Sequence, residues 1–364
     1  MAMTPFFSEK AARVQKQASE FGVWLKARDQ EINDRKEIPP EVLARLWEGG
    51  YYGYLIPREL GGSGGNLFEM ALILEELSPA SSSVALSLLI QSLGTLLISE
   101  DQSGAEKSKR LSRVLNERRL LAFALSEPSG QKFETKAEKT PAGYKIRGRK
   151  VFVNQAREAD WVLVMSESDH GLGIFCVEKG AAGMMVSQDF PRAAARGLSW
   201  AEVVLDGVEV SAQSLIGEPG AGERICESAL SRTAPLIGAM ALGLVQAQLE
   251  SLKKEGGYLQ PGKIAGLERM LAETVVDLEA GRALCYQCSY GLGKDFPGQG
   301  LAAIAGKVFA SELAYRFFSR LSEMAGAEGV VLDQEIKKRL EFAGLMRTLL
   351  GSNSFLLESL IEKA

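Results

Sequence analysis

The chain is poor in the side chains that carry most hydrolytic and metal chemistry. It has one histidine, His170, in the turn-like SESDHGLG, and four cysteines, Cys176, Cys226, Cys285 and Cys288, in 364 residues. With a single histidine, Ser-His-Asp relays, Cys-His pairs and multi-histidine metal centres are effectively excluded. Four cysteines are too few for a disulfide framework in a chain of this length. Cys285 and Cys288 form a lone CxxC inside a stretch of helical periodicity, with no second pair and no nearby histidine. They read as two small core residues one helical turn apart, and a reduced, cytoplasmic protein is expected. Net charge is −4, with acids and bases interspersed. That leaves no basic stripe for nucleic acid and no polybasic membrane anchor.

Other signals are missing too. The opening MAMTPFFSEKAARVQKQ has no apolar stretch behind a basic start, so a secretory leader is not expected. No uninterrupted apolar run reaches the roughly 18 residues of a membrane span. Val84–Ile98 comes closest, but Ser, Gln and Gly interrupt it, and it reads as a buried core helix. GGSGG at Gly61–Gly65 has no strand before it and no GK[ST] after it, so it is a turn rather than a nucleotide loop.

What is present is ample apolar content, 46% of the chain, spread over a length that suits two or three domains. The periodicity falls into three blocks: an all-α segment at residues 1–120, a β segment at 121–222 and a helical segment at 223–364. In the first, Glu9–Arg35 has helical spacing and Pro39–Pro40 starts EVLARLWEGG. LFEMALILEELSPASSSVALSLLIQSLGTLLISE reads as two nearly all-apolar helices broken at Pro79, with Ser81, Ser82 or Ser83 as the cap of the second. In the middle block, short β-type runs alternate with Gly, Pro and Asp turns, the pattern of an antiparallel barrel or sandwich. Gly143–Lys150 and Val151–Asn154 read as a hairpin-like unit. Trp161–Met165, Ile174–Val177, Met184–Ser187 and Val203–Leu205 read as further strands.

The last block reads as four long helices in an up-down bundle. They are Ile225–Lys254, with Pro235 and Gly238 as weak points, Lys263–Leu292, Leu301–Met324 and Asp333–Ile361. GGYLQPG and DFPGQG separate them. The fold class expected is therefore α+β and multidomain: an N-terminal helical domain, a middle antiparallel β-barrel or sandwich and a C-terminal four-helix bundle.

Five stretches in order along the chain resemble the acyl-CoA dehydrogenase family. GYLIPRELGGSGG resembles the family's Pro- and Gly-rich loop, and GNLFEMALILEELSPASSSVALSL the helix after it. FALSEP is similar to the strand ending in Thr-Glu-Pro. GYKIRGRKVFVNQAREADWVLVMSES is similar to the family's Gly-x-Lys-x-Phe-Ile-Thr segment, and Leu205–Gly222 to the strand that leads into its C-terminal helices. The resemblance covers nearly the whole chain. It implies a flavoprotein with FAD between the β-domain and the C-terminal helices, acting on an acyl thioester carried by CoA or by acyl carrier protein. It also implies an electron-transfer flavoprotein as acceptor, and a homo- or hetero-oligomer, dimer or tetramer.

By the same resemblance, Phe123, Leu125 and Ser126 match the first flavin strand, where the backbone and the Ser126 hydroxyl would bond the pyrimidine edge. Phe152, Val153 and Asn154 match the second. Phe152 would cover the ring face, and Asn154, in the place of the usual Thr, would offer a donor near N5. Donors there stabilise charge that develops as a flavin accepts hydride.

The chain departs from the family where proton transfer is done. The usual base, a Glu before Gly-Thr or Gly-Ser, aligns with Leu350 in Leu349-Leu350-Gly351-Ser352, and leucine accepts no proton. The alternative base position on the first C-terminal helix aligns with Thr233. Glu341 and Glu227 are the nearest carboxylates, each about 9–14 Å along a helix from a lost position. The Gly-Ser-Asp loop after FALSEP is shortened, and Lys253 or Lys254 stands for the arginine that reaches the FAD pyrophosphate, a point charge without the bidentate fork. LSEMAGAEGVV and Glu341-Phe342-Ala343 replace two further cofactor and site motifs. Three readings stay open: a dehydrogenase with a relocated base, a catalytically silent subunit of a heteromer, and a flavin-dependent oxygenase on the same fold.

Overall fold

Apolar periodicity, capping and burial agree along most of the chain in the computed structural model, which describes residues 8–128, 133–192, 194–255, 266–291, 299–324 and 334–363. The N-terminal block folds as α1 (Glu9–Lys26), α2 (Asp29–Arg35), α3 (Pro40–Glu48), α4 (Leu67–Leu77), α5 (Ser82–Ser99) and α6 (Gly104–Asn116). The starts of α1 and α4 are capped by side chains, whereas Ser81 at the start of α5 makes no side-chain cap. Ser8 accepts the Ala11 N–H at 3.2 Å. Asn66 and Glu69 form a reciprocal capping box on α4, which satisfies two amide donors that a helix start leaves open. α5 is apolar all round and buried along nearly its whole length, as such a helix must be. Ser82–Ser99 and Gly222–Lys254 are long and apolar enough to cross a membrane, but 89% and 78% of their apolar windows are buried inside the fold.

The middle block is one eight-stranded sheet: β1 (Leu121–Ala124), β2 (Lys136–Thr140), β3 (Gly143–Asn154), β4 (Trp161–Ser168), β5 (Gly171–Glu178), β6 (Met184–Val186), β7 (Trp200–Ser211) and β8 (Leu215–Ile216). The order is β6-β7-β3-β2-β4-β5-β8, with β1 beside β4. Two details differ from the sequence expectation. Gly143–Asn154 is one strand along β7 with register shifts, the second between Lys150 and Val153. Its hairpin partner is β2, whose charged KAEKT buries Ala137 alone and so carries little β signal. The sheet is also mixed, because β1 pairs in parallel with β4, Leu121 opposite Trp161. A parallel pair needs a long crossover, and the chain from Ala124 to Trp161 supplies it.

β4 shows why WVLVM is a continuous apolar run. Val162 and Val164 enter the core inside the sheet. Trp161, Leu163 and Met165 join the large core shared with the helices. A strand covered on both faces has no polar side to display.

The C-terminal helices are α7 (Gly222–Glu255), α8 (Leu267–Gly291), α9 (Gln299–Met324), α10 (Gln334–Met346) and α11 (Asn353–Lys363). The expected fourth helix is thus two, broken across Arg347–Ser352. Pro235 and Gly238 do not break α7. A Cβ on Gly238 would lie 2.4 Å from Cys285 Sγ, and one on Gly243 only 2.0 Å from the Glu75 carbonyl oxygen. These glycines let helices approach closely. Cys285 is fully buried in that contact, and burial pushes its thiol well above the ordinary range. No group of three or more metal-ligating side chains occurs among the described residues. The loop GGYLQPG, the turn at DFPG and the segment AGAEGVV lie outside the described residues.

Candidate active site

The two segments expected to meet a flavin converge although 25 residues separate them. The Val151 N–H donates to the Ser126 carbonyl at 2.9 Å, and Lys150 Nζ donates to the Leu125 carbonyl at 3.1 Å. The junction is held from below. Lys150 is fully buried and pairs with buried Glu127 at 2.5 Å. Glu127 also accepts the Glu134 N–H at 2.7 Å and the Thr135 N–H at 3.2 Å. Burial alone would raise the Glu127 pKa, but Lys150 and these amides hold it below the ordinary value. Two opposite charges tied to backbone on both sides fix the end of β1 against β3. Sequence reading missed Glu127 and Lys150 as positioning groups, although both stand inside the motifs FALSEP and GRKVFVN.

A second clamp joins this junction to the helices. Gln155 is fully buried. Its Nε2 donates to the Leu121 carbonyl at 2.9 Å, and its Oε1 accepts from Ser87 Oγ at 2.5 Å. Ser87 in turn meets the Tyr52 hydroxyl at 2.8 Å. Burial, the largest cause, pushes the Tyr52 phenol up beyond the ordinary range.

The residues singled out from the sequence sit on these strand ends. Phe123 lies opposite Leu163. Leu125 is half-buried and Ser126 exposed. Val153 is buried in the inner core. Phe152 stands at the register shift with φ +57° and is 52% exposed, an unusual conformation for an aromatic residue. It is held there by Trp200, whose Nε1 donates to the Phe152 carbonyl at 2.7 Å. Its ring lies 5.1 Å from that of Phe190 and 5.3 Å from that of Trp200. Asn154 Oδ1 is buried with no hydrogen-bond partner among the described residues. A strained aromatic and an unsatisfied amide on one strand end are what a site awaiting a planar polar ligand would show.

Leu350 belongs to a different construction. α10 ends at Met346, and the chain turns through Leu350 at φ +55° and Gly351 at φ +107° before Ser352 caps α11 by accepting the Phe355 N–H at 3.2 Å. Lys307, fully buried on α9, holds the break. Its Nζ donates to the carbonyls of Gly351 (3.0 Å) and Arg347 (3.3 Å) and to Asn353 Oδ1 (2.7 Å). Asn353 Nδ2 and Arg347 Nε both reach Glu312 Oε1 at 2.7 Å. Burial pushes the Lys307 ammonium down to about 8.

The break opens onto a cavity of about 790 Å³ between α7, α9 and the α10–α11 turn. Leu350, Leu349, Ile304, Lys307 and Glu227 line it. Glu227 and Leu350 therefore share one cavity. Glu341 does not join them. It lines a second cavity of about 570 Å³ with Phe190, Arg192 and Lys337. Thr233 is buried and turns its hydroxyl back to the Ala229 carbonyl at 2.6 Å.

Comparison with known proteins agrees with this layout. The chain matches the acyl-CoA dehydrogenase N-terminal domain over residues 8–118, the middle domain over 122–208 and the C-terminal domain over 220–364. It is 29% identical to cyclohex-1-ene-1-carbonyl-CoA dehydrogenase of Syntrophus aciditrophicus, over 89% of this chain and 82% of that protein. It is 26% identical to 3-(aryl)acrylate reductase of Clostridium sporogenes, over 92% of both. Among solved structures, butyryl-CoA dehydrogenase of Megasphaera elsdenii superposes with a TM-score of 0.90 at 25% identity, covering 98% of each chain. With all three domains matched in order around the converging strand ends, the chain belongs to the acyl-CoA dehydrogenase family of flavoprotein oxidoreductases.

Proposed function

We propose that this chain is an FAD-dependent oxidoreductase that removes the α and β hydrogens of an acyl thioester, carried on CoA or acyl carrier protein. The observation that carries it is the junction of Ser126 with Val151, which sets Ser126, Phe152 and Asn154 on adjoining strand ends. The chain's own residues fit the cofactor. Ser126 offers an exposed hydroxyl, Phe152 a half-exposed ring, and Asn154 an amide whose buried oxygen lacks a partner. FAD, when bound, supplies the acceptor for the hydride from the β-carbon. The α-proton needs a carboxylate, and among the described residues Glu227 is the one that shares the cavity with Leu350. The apolar wall of that cavity, Leu230, Ile237, Leu301, Ile304 and Leu349, suits an acyl chain. The electron acceptor is an electron-transfer flavoprotein, and the working form is an oligomer.

Leu350 favours a second reading, a silent subunit that keeps the fold beside an active relative. The two separate in one experiment. Purified protein is loaded with FAD and mixed anaerobically with a panel of acyl-CoA thioesters. Bleaching of the flavin absorbance that is lost in Glu227→Gln supports the dehydrogenase. Thioester binding with no bleaching, or failure to retain FAD, supports the silent subunit.

A further inference from the structure

Trp200 lies outside the five stretches that resemble the family, and it opens β7 beside the irregular end of β3. The ladder pairs Lys150 with Val203, then Val153 with Ala201 and Asn154 with Trp200. Val151 and Phe152 therefore face Glu202 alone, which is a β-bulge. Glycine is the usual residue at a left-handed position in such a bulge. Here Phe152 holds it, at φ +57°. A bulky side chain in that region is strained and stays there only where its surroundings fix it. Trp200 does so from both of its ends. Its indole N–H donates to the Phe152 carbonyl at 2.7 Å, and its own carbonyl accepts the Phe190 N–H at 2.8 Å. One residue thus ties the backbone of the bulge to the segment that brings a third ring.

The rings complete the lock. Phe152 lies 5.3 Å from Trp200 and 5.1 Å from Phe190, and Phe190 meets Trp200 edge-on at 6.4 Å, separations at which aromatic pairs attract. Yet Phe152 is 52% exposed, so burial does not account for a ring strained at its backbone and braced by two others. Asn154, two residues on, carries the orphaned buried oxygen of the same strand end. We infer, resting on the flavin reading of this strand end, that Trp200 is a positioning residue for the flavin: it locks the bulge so that the Phe152 ring is already in place for the flavin face. A preorganised ring meets its ligand without the ordering cost that a mobile side chain incurs. Trp200→Phe keeps a ring in the cluster but removes the N–H donor, which frees the Phe152 carbonyl and lets the bulge relax.

The test is a fluorescence titration of FAD into the purified full-length chain, stripped of flavin, in wild type, Trp200→Phe, Phe152→Gly and the double variant. Trp200→Phe should weaken FAD about tenfold or more. The same substitution made in Phe152→Gly should change affinity less than about twofold, because glycine takes a left-handed φ unaided and has no ring to place. Where Trp200→Phe does not fold, Phe190→Leu decides. It leaves the indole bond of Trp200 and the backbone bond to residue 190 in place and should still weaken FAD about threefold. Equal affinity in wild type and Trp200→Phe, or a loss that persists undiminished in the Phe152→Gly background, overturns the positioning role while the flavin reading stands. Where Phe190→Leu decides, affinity equal to wild type does the same. A wild-type chain that takes up no FAD overturns the flavin reading and the positioning role together.

Discussion

Lys307 on α9 donates to the Gly351 carbonyl at 3.0 Å, and this bond turns the end of α10 into a site rather than a continued helix. The carbonyls at a helix end have no partner within the helix. A buried ammonium that binds the Arg347 and Gly351 carbonyls just beyond α10 fixes the turn that presents Leu350 to the cavity.

Removing that ammonium should loosen the turn. Lys307→Met keeps the length of the side chain but takes the side-chain donor from the Gly351 carbonyl, at a cost of about 1–3 kcal/mol, while the Arg347 carbonyl keeps the Asn353 N–H at 2.9 Å. The pH dependence has a definite sign. Burial lowers the Lys307 pKa to about 8 in the folded state, whereas an unfolded lysine titrates near ~10.4. Between those values the unfolded chain binds more protons, so this residue makes stability rise with pH across that window. Denaturant titrations from pH 7 to pH 10 should show this rise in wild type, and it should be absent in Lys307→Met.

Leu350→Glu restores a carboxylate at the turn that Lys307 holds. A positioned base is worth on the order of 10²–10⁴ in rate. Stopped-flow flavin bleaching by an acyl-CoA should therefore accelerate by about that factor. Glu227→Gln in the wild-type background should slow it by a similar one. An unchanged rate in both variants would remove proton transfer from this cavity.

Asn154→Ala should separate binding from stability. FAD retention should weaken about tenfold, read by ultrafiltration of the released flavin. Thermal stability of the flavin-free chain should hold or rise, because the change deletes a buried amide oxygen that has no partner. A fall in melting temperature with flavin binding intact would assign Asn154 to structure alone.

Glu75→Gln addresses the joint between the N-terminal and C-terminal helices. Arg282 on α8 grips Glu75 on α4 through two nitrogens, at 2.9 and 2.7 Å, and the Tyr286 hydroxyl donates to the same carboxylate. Burial and then Glu75 push the Tyr286 phenol far above its ordinary range. Neutralising Glu75 removes the charge from one partner while Arg282 keeps Glu279 Oε1 at 2.7 Å and Gln246 Oε1 at 3.1 Å, so urea unfolding should show a loss of about 1–3 kcal/mol.

Much of this was legible in the chain. The apolar faces of α4, α5 and α7 and the continuous run of β4 follow from burial, which is a property of each segment. The strand ends proposed to meet a flavin were legible as motifs, with their residues in order. β2 was hidden, because KAEKT buries a single side chain and its pairing comes from β3. The break between α10 and α11 was hidden as well. Its cause is Lys307, some 40 residues earlier, and no local periodicity registers a cap supplied from another helix.

The sequence by itself determined the three blocks, the family motifs and a leucine rather than a carboxylate at position 350, because residue type and spacing are written along one dimension. Tertiary structure decided which groups share a cavity. Glu341 stands nine positions before Leu350 in the chain yet lines another cavity, while distant Glu227 shares Leu350's own. Nine residues along a helix is about two and a half turns, which by itself puts side chains on opposite faces, and packing of α7 against α9 brings remote ones together.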